Sequence, residues 1–304
     1  MAPLGSQERD HITLGIILIL ACNVLMGLGD ALVKLISDDL TLWQIFLTRS
    51  LIATPLIIGF IYLRRGSFRV VSYKWVLLRS TLLVLTWVAF YASLPVLPLS
   101  AAAVAVYTNP IITALLSALW LREAVSRRQW LGVLVGFCGV AVILQPGSDA
   151  FSLFILLPLL AATMYSLAMV MTRHKCQDEE ATTLALGLHG SFIVAGILGT
   201  AVLAVLGLSL SEQATFPFLL GDWAEMQEAA WGIIALMGLL SAAFVVGVAK
   251  AYQIAPPHII GVFDYAYLIS AALWGFVLFA EKPGVTTILG MVLITLAGVL
   301  VAKR

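Results

Sequence analysis

Ten mostly apolar stretches follow one another along the chain, separated by short polar joints. They run from Ile12 to Ile36, Leu42 to Leu63, Trp75 to Leu94, Ser100 to Leu121, Trp130 to Leu144, Ser152 to Thr172, Ala181 to Leu206, Trp231 to Tyr252, His258 to Ala280 and Val285 to Ala302. Most approach or exceed the ~20 residues with which an α-helix crosses the ~30 Å hydrocarbon core of a bilayer. They are apolar all round, whereas a membrane β-barrel needs alternating apolar and polar positions, so the pattern predicts helices. The first stretch is too long for a cleaved signal, carries Asn23, Asp30 and Lys34, and leads straight into the next. The longest joint runs only from Ser209 to Ala230, so no domain outside the membrane is expected.

A second pattern lies over the first. The segment from Pro98 to Gly132 returns 158 residues later as the segment from Pro256 to Gly290. Pro98, Val104, Tyr107, Ile111, Ala114, Leu115, Glu123, Leu131 and Gly132 meet Pro256, Val262, Tyr265, Ile269, Ala272, Leu273, Glu281, Leu289 and Gly290. Such a match across two apolar stretches and their joint predicts one unit of fold used twice, over residues 1–148 and 149–304. Five crossings per unit would invert the second copy. The fold expected is therefore an all-α membrane protein of ten transmembrane helices, arranged as two inverted five-helix repeats. Inverted repeats let one shape that opens to one side interconvert with a near-equivalent shape that opens to the other.

Composition agrees: 62% of the residues are hydrophobic and 11% charged, against roughly 25% charged in a soluble domain. With the N-terminus inside, the joints place Arg9, Arg64, Arg65, Arg69, Lys74, Arg79, Arg122, Arg127, Arg128, Arg173, Lys175, Lys303 and Arg304 at the inner face and only Lys282 outside. This positive-inside split predicts both termini in the cytoplasm and, for a bacterial chain, residence in the cytoplasmic (inner) membrane. The basic residues are scattered through membrane-flanking joints, so no nucleic-acid partner is expected. Cys22, Cys138 and Cys176 have no metal-ligand spacing, His11, His174, His189 and His258 are dispersed, and neither a metal nor a cofactor is expected. No His-Glu-x-x-His or serine-protease pattern points to an intramembrane enzyme. The partners predicted are the bilayer and a small molecule, and a monomer would suffice.

Several short motifs, in this order and spacing, carry a resemblance to a known family. They are Gly29-Asp30-Ala31-Leu32-Val33-Lys34, Phe46-Leu47-Thr48-Arg49-Ser50, Leu97-Pro98-Leu99-Ser100-Ala101-Ala102, Tyr107-Thr108-Asn109-Pro110, Arg122-Glu123, Gln145-Pro146-Gly147, Phe263-Asp264-Tyr265 and Phe279-Ala280-Glu281-Lys282-Pro283. The chain resembles the ten-helix EamA-type branch of the drug/metabolite transporter superfamily, and within it the YddG-type amino acid exporters. The resemblance implies a basket of helices around a central cavity lined by helices 1, 3, 4, 6, 8 and 9. It also implies transport of amino acids, nucleosides, vitamins or other metabolites, many of them exported. The family commonly has Gly before each matched glutamate, where this chain has Arg122 and Ala280.

Polar groups inside apolar helices are the candidates for function, because each is costly in hydrocarbon. Asn23, Gly27, Asp30 and Lys34 form one stripe on the first helix. Asp30 and Arg49 fall at the same depth, which predicts either an ion pair between helices or a substrate contact; Lys34 lies near enough to the helix end to snorkel. Asp264 shares a face with Tyr267 and is expected either to pair with Lys250 or to meet a substrate amine or proton. Trp87 and Tyr91 on the third helix, and Tyr107 and Asn109 before Pro110 on the fourth, are further candidates, together with Tyr265. Pro110 leaves the Val106 carbonyl without its usual partner, which predicts a broken helix at membrane depth. Glu123 and Glu281 are assigned to helix-start stabilisation. His189 is expected to be a hydrogen-bonded packing residue.

Overall fold

The computed structural model describes residues 6–97, 99–106, 108–120, 126–144, 153–282 and 284–302. Among these residues the regular structure is helical throughout, and each of the ten apolar stretches is helical. In order they are α1 (Ser6–Leu35), α2 (Leu42–Leu63), α3 (Tyr73–Ser93), α4 (Leu99–Val106), α5 (Asn109–Leu119), α6 (Arg127–Leu144), α7 (Leu156–Lys175) and α8 (Ala181–Leu206). There follow α9 (Leu210–Gln213), α10 (Pro217–Leu220), α11 (Glu228–Ile254), α12 (Pro257–Phe263), α13 (Ala266–Phe279) and α14 (Val285–Ala302). Among the described residues, seven spans are long and apolar enough to cross a membrane, the α12–α13 pair being counted as one of them. The chain is a multi-pass membrane protein.

Two stretches are split. α4 stops at Val106 and α5 resumes at Asn109 with Pro110 in its first turn, as the proline dictates. The second split, at Asp264 and Tyr265, has no proline in it. There the chain tightens, Tyr267 and Leu268 donating to the carbonyls three residues back at 3.0 Å each. The Asn23 amide of α1 then reaches across to the carbonyls of Phe263 and Asp264, 3.3 Å from each. A side chain from another helix thus satisfies backbone that the split exposes, which is the condition for irregular chain at membrane depth.

The helices pack in a consistent set of neighbours. α6 runs along α14 and α2 along α8; α1 lies against α11 and α13, and α3 against α7 and α8. The broken helices meet one another, α5 against α12 and α4 against α13. At Gly27 the α1 backbone approaches α13 so closely that any Cβ would collide with Ser270, so the small residue in the polar stripe is a packing requirement.

Both ends of the bundle are tied by polar contacts. At one end Lys34 forms an ion pair with Glu281 at 2.9 Å, donates to the Leu97 carbonyl at 3.4 Å and lies over the Phe279 ring. Lys34 and Glu281 thus neutralise one another beside the α13–α14 joint. Glu123 lies outside the described residues. At the opposite end Arg173 donates to the Gln253 carbonyl at 2.5 Å, and the Gln253 amide donates to the carbonyls of Cys176 and Glu179. The Glu179 carboxylate in turn accepts from the backbone amides of Val71 and Ser72 just ahead of α3.

Ala280, where the family commonly carries glycine, adopts a left-handed conformation with φ +55°. An L-residue with a Cβ costs roughly 1–2 kcal/mol there. Ala280→Gly is therefore expected to stabilise the protein by up to about 1 kcal/mol after the extra chain entropy of glycine is set against the relief. A lowered melting temperature for that variant would contradict the reading.

Candidate functional site

A small buried cavity lies where α1, α3, the two broken helices and α7 converge. Its walls include Asp30, Trp87, Asn109, Tyr165 and Tyr267, with Met26, Thr86, Phe90 and Val106. Its free volume is about 30 Å³, enough for a couple of waters and too little for a metabolite. Asp30 and Tyr267 are each 1% exposed and Asn109 3%, so the polar groups of the cavity are shielded from bulk solvent.

Each element delivers its residue by simple helical register. On α3, Trp87 and Tyr91 are one turn apart, their ring centroids 5.0 Å from each other. The Tyr91 hydroxyl donates to Asp30 Oδ1 at 2.9 Å, and Tyr267 donates to Asp30 Oδ2 at 2.5 Å. Arg49 of α2 does not reach Asp30. It donates from Nη1 to the Tyr91 hydroxyl at 3.2 Å and lies over the Phe192 ring, 5.0 Å from its centroid. The predicted ion pair is thus relayed through a tyrosine: cation and anion are level as expected, but an aromatic ring stands between them. Charge-assisted hydrogen bonds and cation–π contact together make that buried arrangement tolerable.

The second acid departs further from expectation. Asp264 sits in the split between α12 and α13 and is fully buried, whereas Lys250 is exposed and forms no ion pair with it. Instead Asp264 Oδ2 accepts from Tyr252 at 2.5 Å and from Tyr165 at 3.4 Å. Lys250, near the end of α11, faces outward because the register that points Tyr252 inward turns residue 250 away. Tyr165 links the two parts of the site, lining the cavity and donating to Asp264.

Of the other predicted residues, Trp87, Asn109 and Tyr267 line the cavity, and Asn23 and Tyr91 support it from behind. Tyr265 does not join them. Its ring packs against α6, where a Cβ at Gly136 would lie 2.6 Å from the hydroxyl oxygen and 2.7 Å from the ring. Within a helical turn, position 265 projects about 100° from position 264, so one of two neighbours must face the periphery. Tyr107 lies outside the described residues. His189 is a buried packing residue, its Nδ1 3.2 Å from the Ser50 hydroxyl.

Sequence inspection missed Tyr165, Tyr252, Met26, Thr86 and Phe90. Tyr165 and Tyr252 sit singly in apolar runs, and nothing local distinguishes a tyrosine that donates to a distant carboxylate from one that merely packs. It also gave no sign that Arg79, counted among the inner-face charges, is buried: its guanidinium is 1% exposed inside α3 and donates to Thr172 of α7 at 2.6 Å.

Comparison with known proteins adds to this geometry. Residues 13–145 match the EamA-like transporter family. The chain is 28% identical to the riboflavin transporter of Vibrio cholerae, over 77% of this chain and 72% of that one. It is 26% identical to the pseudopaline exporter CntI of Pseudomonas aeruginosa over 97% and 98% of the two chains. A third relative, the S-adenosylmethionine uptake transporter of Rickettsia felis, is 23% identical over 88% of this chain and 84% of its own. The fold matches a solved crystal structure with a TM-score of 0.70 over 97% of this chain and 98% of the other, at 17% identity. Family match and relatives agree: residues 13–145 carry an EamA-like transporter match, and the chain as a whole is similar to transporters of the drug/metabolite transporter superfamily.

Proposed function

We propose that the protein is a secondary transporter that exports amino acids or closely similar metabolites across the bacterial cytoplasmic membrane by alternating access. Both termini are cytoplasmic in this reading, and the chain comprises ten crossings in two inverted repeats, residues 1–148 and 149–304. The observation that carries it is a buried cavity with one carboxylate, one amide, two tyrosines and an indole at the meeting of two broken helices, tied off by polar contacts at both ends of the bundle. An acid beside aromatic walls suits an ammonium group on an apolar body.

The inverted repeat draws support from the packing. If helix n of the first half corresponds to helix n+5 of the second, α1 against α11 has its counterpart in α7 against α3, and α1 against α13 in α7 against α4 and α5. The splits correspond too, falling around positions 107 and 265, which are matched in the sequence repeat. A two-fold arrangement of this kind gives two end states of similar energy. The mechanism follows in outline: a substrate amine engages Asp30 in place of one tyrosine donor, the ties at one end release, and those at the other hold.

A second reading is import of a metabolite with a ring system, such as a vitamin or nucleoside derivative, favoured by Trp87 and Phe90 in the wall and by the riboflavin transporter among the relatives. Family and relatives point to transport rather than to an enzyme. The deciding experiment is uptake into proteoliposomes with labelled amino acids, riboflavin and nucleosides, with and without a pH gradient. Movement of an amino acid is expected; movement of another class alone would replace the substrate assignment with the second reading.

A further inference from the structure

We propose that Arg79 binds the carboxylate of the transported molecule on its passage between the cavity and the end of the bundle tied by Arg173 and Gln253. The starting observation is a buried cation without an anion. Arg79 is 1% exposed, and its guanidinium donates from Nε to the Thr172 hydroxyl, a neutral acceptor, at 2.6 Å. Its Nη1 is buried and meets no acceptor among the described residues, where the ion pair joins Lys34 to Glu281 instead. An ionised side chain inside a membrane bundle pairs with an opposite charge or marks a substrate path.

The neighbours that could supply a negative charge do not. The titratable groups within electrostatic reach of Arg79 are Cys176 and Tyr165. Burial pushes the Cys176 thiol up to about 11, against the opposing pull of Arg79, so it stays neutral. A tyrosine hydroxyl is neutral at physiological pH as well, and that of Tyr165 donates to Asp264. Glu179, three residues beyond Cys176, directs its two carboxylate oxygens to the backbone amides of Val71 and Ser72.

Arg79 stands in line with the cavity. On α3, Arg79, Leu83, Thr86 and Phe90 share a face, and Thr86 and Phe90 line the cavity. On α7, Thr172, Ala168 and Tyr165 share a face in the same way, and Tyr165 lines the cavity. Because α3 packs along α7, Arg79 and Thr172 continue that wall about 10 Å beyond Thr86, at 1.5 Å of rise per residue. Leu83 and Ala168, apolar and buried, lie between. Beyond Arg79 come Cys176 and Glu179, whose carbonyls hold the Gln253 amide. A molecule that enters or leaves through this end therefore passes the guanidinium.

The guanidinium fork matches the two oxygens of a carboxylate. One such group balances one negative charge, which fits a carboxylate better than a phosphate carrying nearly two. With Asp30 at the cavity and a cation beyond it, the path offers a partner to each end of a zwitterion. The assignment rests on the transport reading above and narrows it to molecules that carry a carboxylate.

Binding can be measured without transport. The full-length protein in detergent is titrated with alanine, leucine, phenylalanine and glutamine, each against its α-amide, at a pH where both carry the ammonium group, and the melting temperature is followed. At least one amino acid is expected to reach half of its maximal stabilisation at a concentration about tenfold or more below that of its amide. Arg79→Gln should remove that preference, and Arg79→Lys, which keeps the charge, should restore part of it. Without ligand, Arg79→Gln should melt at or above the native temperature, because a buried charge is removed and no anion is stranded. Arg79→Met, similar in length and apolar, takes its place if the glutamine variant does not fold. Equal binding of every acid and its amide by the native protein overturns the proposal, as does a preference that survives loss of the arginine. So does a melting temperature well below native in both variants, which would reveal a structural counter-ion. Acid preference that depends on Arg79, without uptake of any amino acid into proteoliposomes, refutes the transport reading and leaves the anion site. Amino acid uptake with no acid preference refutes the anion site alone.

Discussion

Asp264→Asn is expected to lower transport in proteoliposomes by about tenfold or more while the protein still inserts and folds. The carboxylate accepts two tyrosine hydroxyls, at 2.5 and 3.4 Å, inside a fully buried split. Hydrogen bonds to a charged group are worth roughly 1.5–3 kcal/mol each, and an amide retains the shape but neither the charge nor both acceptor positions. Packing is nearly conserved, so the loss should appear in transport rate rather than in expression. Unchanged transport at normal expression would reduce Asp264 to a structural acid.

The second large effect concerns Asp30 and Arg49. Either single removal, Asp30→Leu or Arg49→Met, leaves its partner's charge buried without compensation, a loss of about 3–5 kcal/mol. Removing both should be far less harmful than the sum, because no uncompensated charge then remains. Tyr91→Phe should fall between native and single variants, since it cuts the relay that Arg49 and Asp30 share while leaving both charges in place. Melting temperatures of the four proteins give the answer, and strictly additive losses from the two single changes would mean that the relay carries no coupling. Transport should fall with any change at Asp30, which lines the cavity, and need not fall in proportion with Arg49, which stands behind Tyr91.

Where sequence reading succeeded, a local rule governed the residue. Pro110 removes a donor wherever it sits, so a split near it could be placed without knowing any neighbour. The split at Asp264 obeys no such rule. Asn23, some 240 positions away, supplies a further donor to the carbonyls of Phe263 and Asp264 there, and that pairing exists only after α1 has packed against α12 and α13. Depth arithmetic put Asp30 level with Arg49 but could not reveal that the Tyr91 hydroxyl occupies the space between them. It offered Lys250 as one of two roles for Asp264, because opposite charges attract, yet Lys250 points outward and the acid is held by tyrosines. Tyr265 looked like a cavity residue because it is matched in the repeat; its register turns it toward Gly136 instead.

What the amino-acid sequence determined by itself is the class of molecule: helical stretches of membrane length and a handful of costly polar groups confined to particular helices. Those features depend on hydropathy and on residue spacing, which are properties of the chain alone. The tertiary structure decided which of those polar groups meet. An intramembrane hydroxyl or carboxylate takes the nearest donor or acceptor that packing brings within about 3 Å. Which one that is depends on helix rotation and crossing, quantities that no local pattern encodes. The cavity and the tyrosine relays belong to that second kind of information.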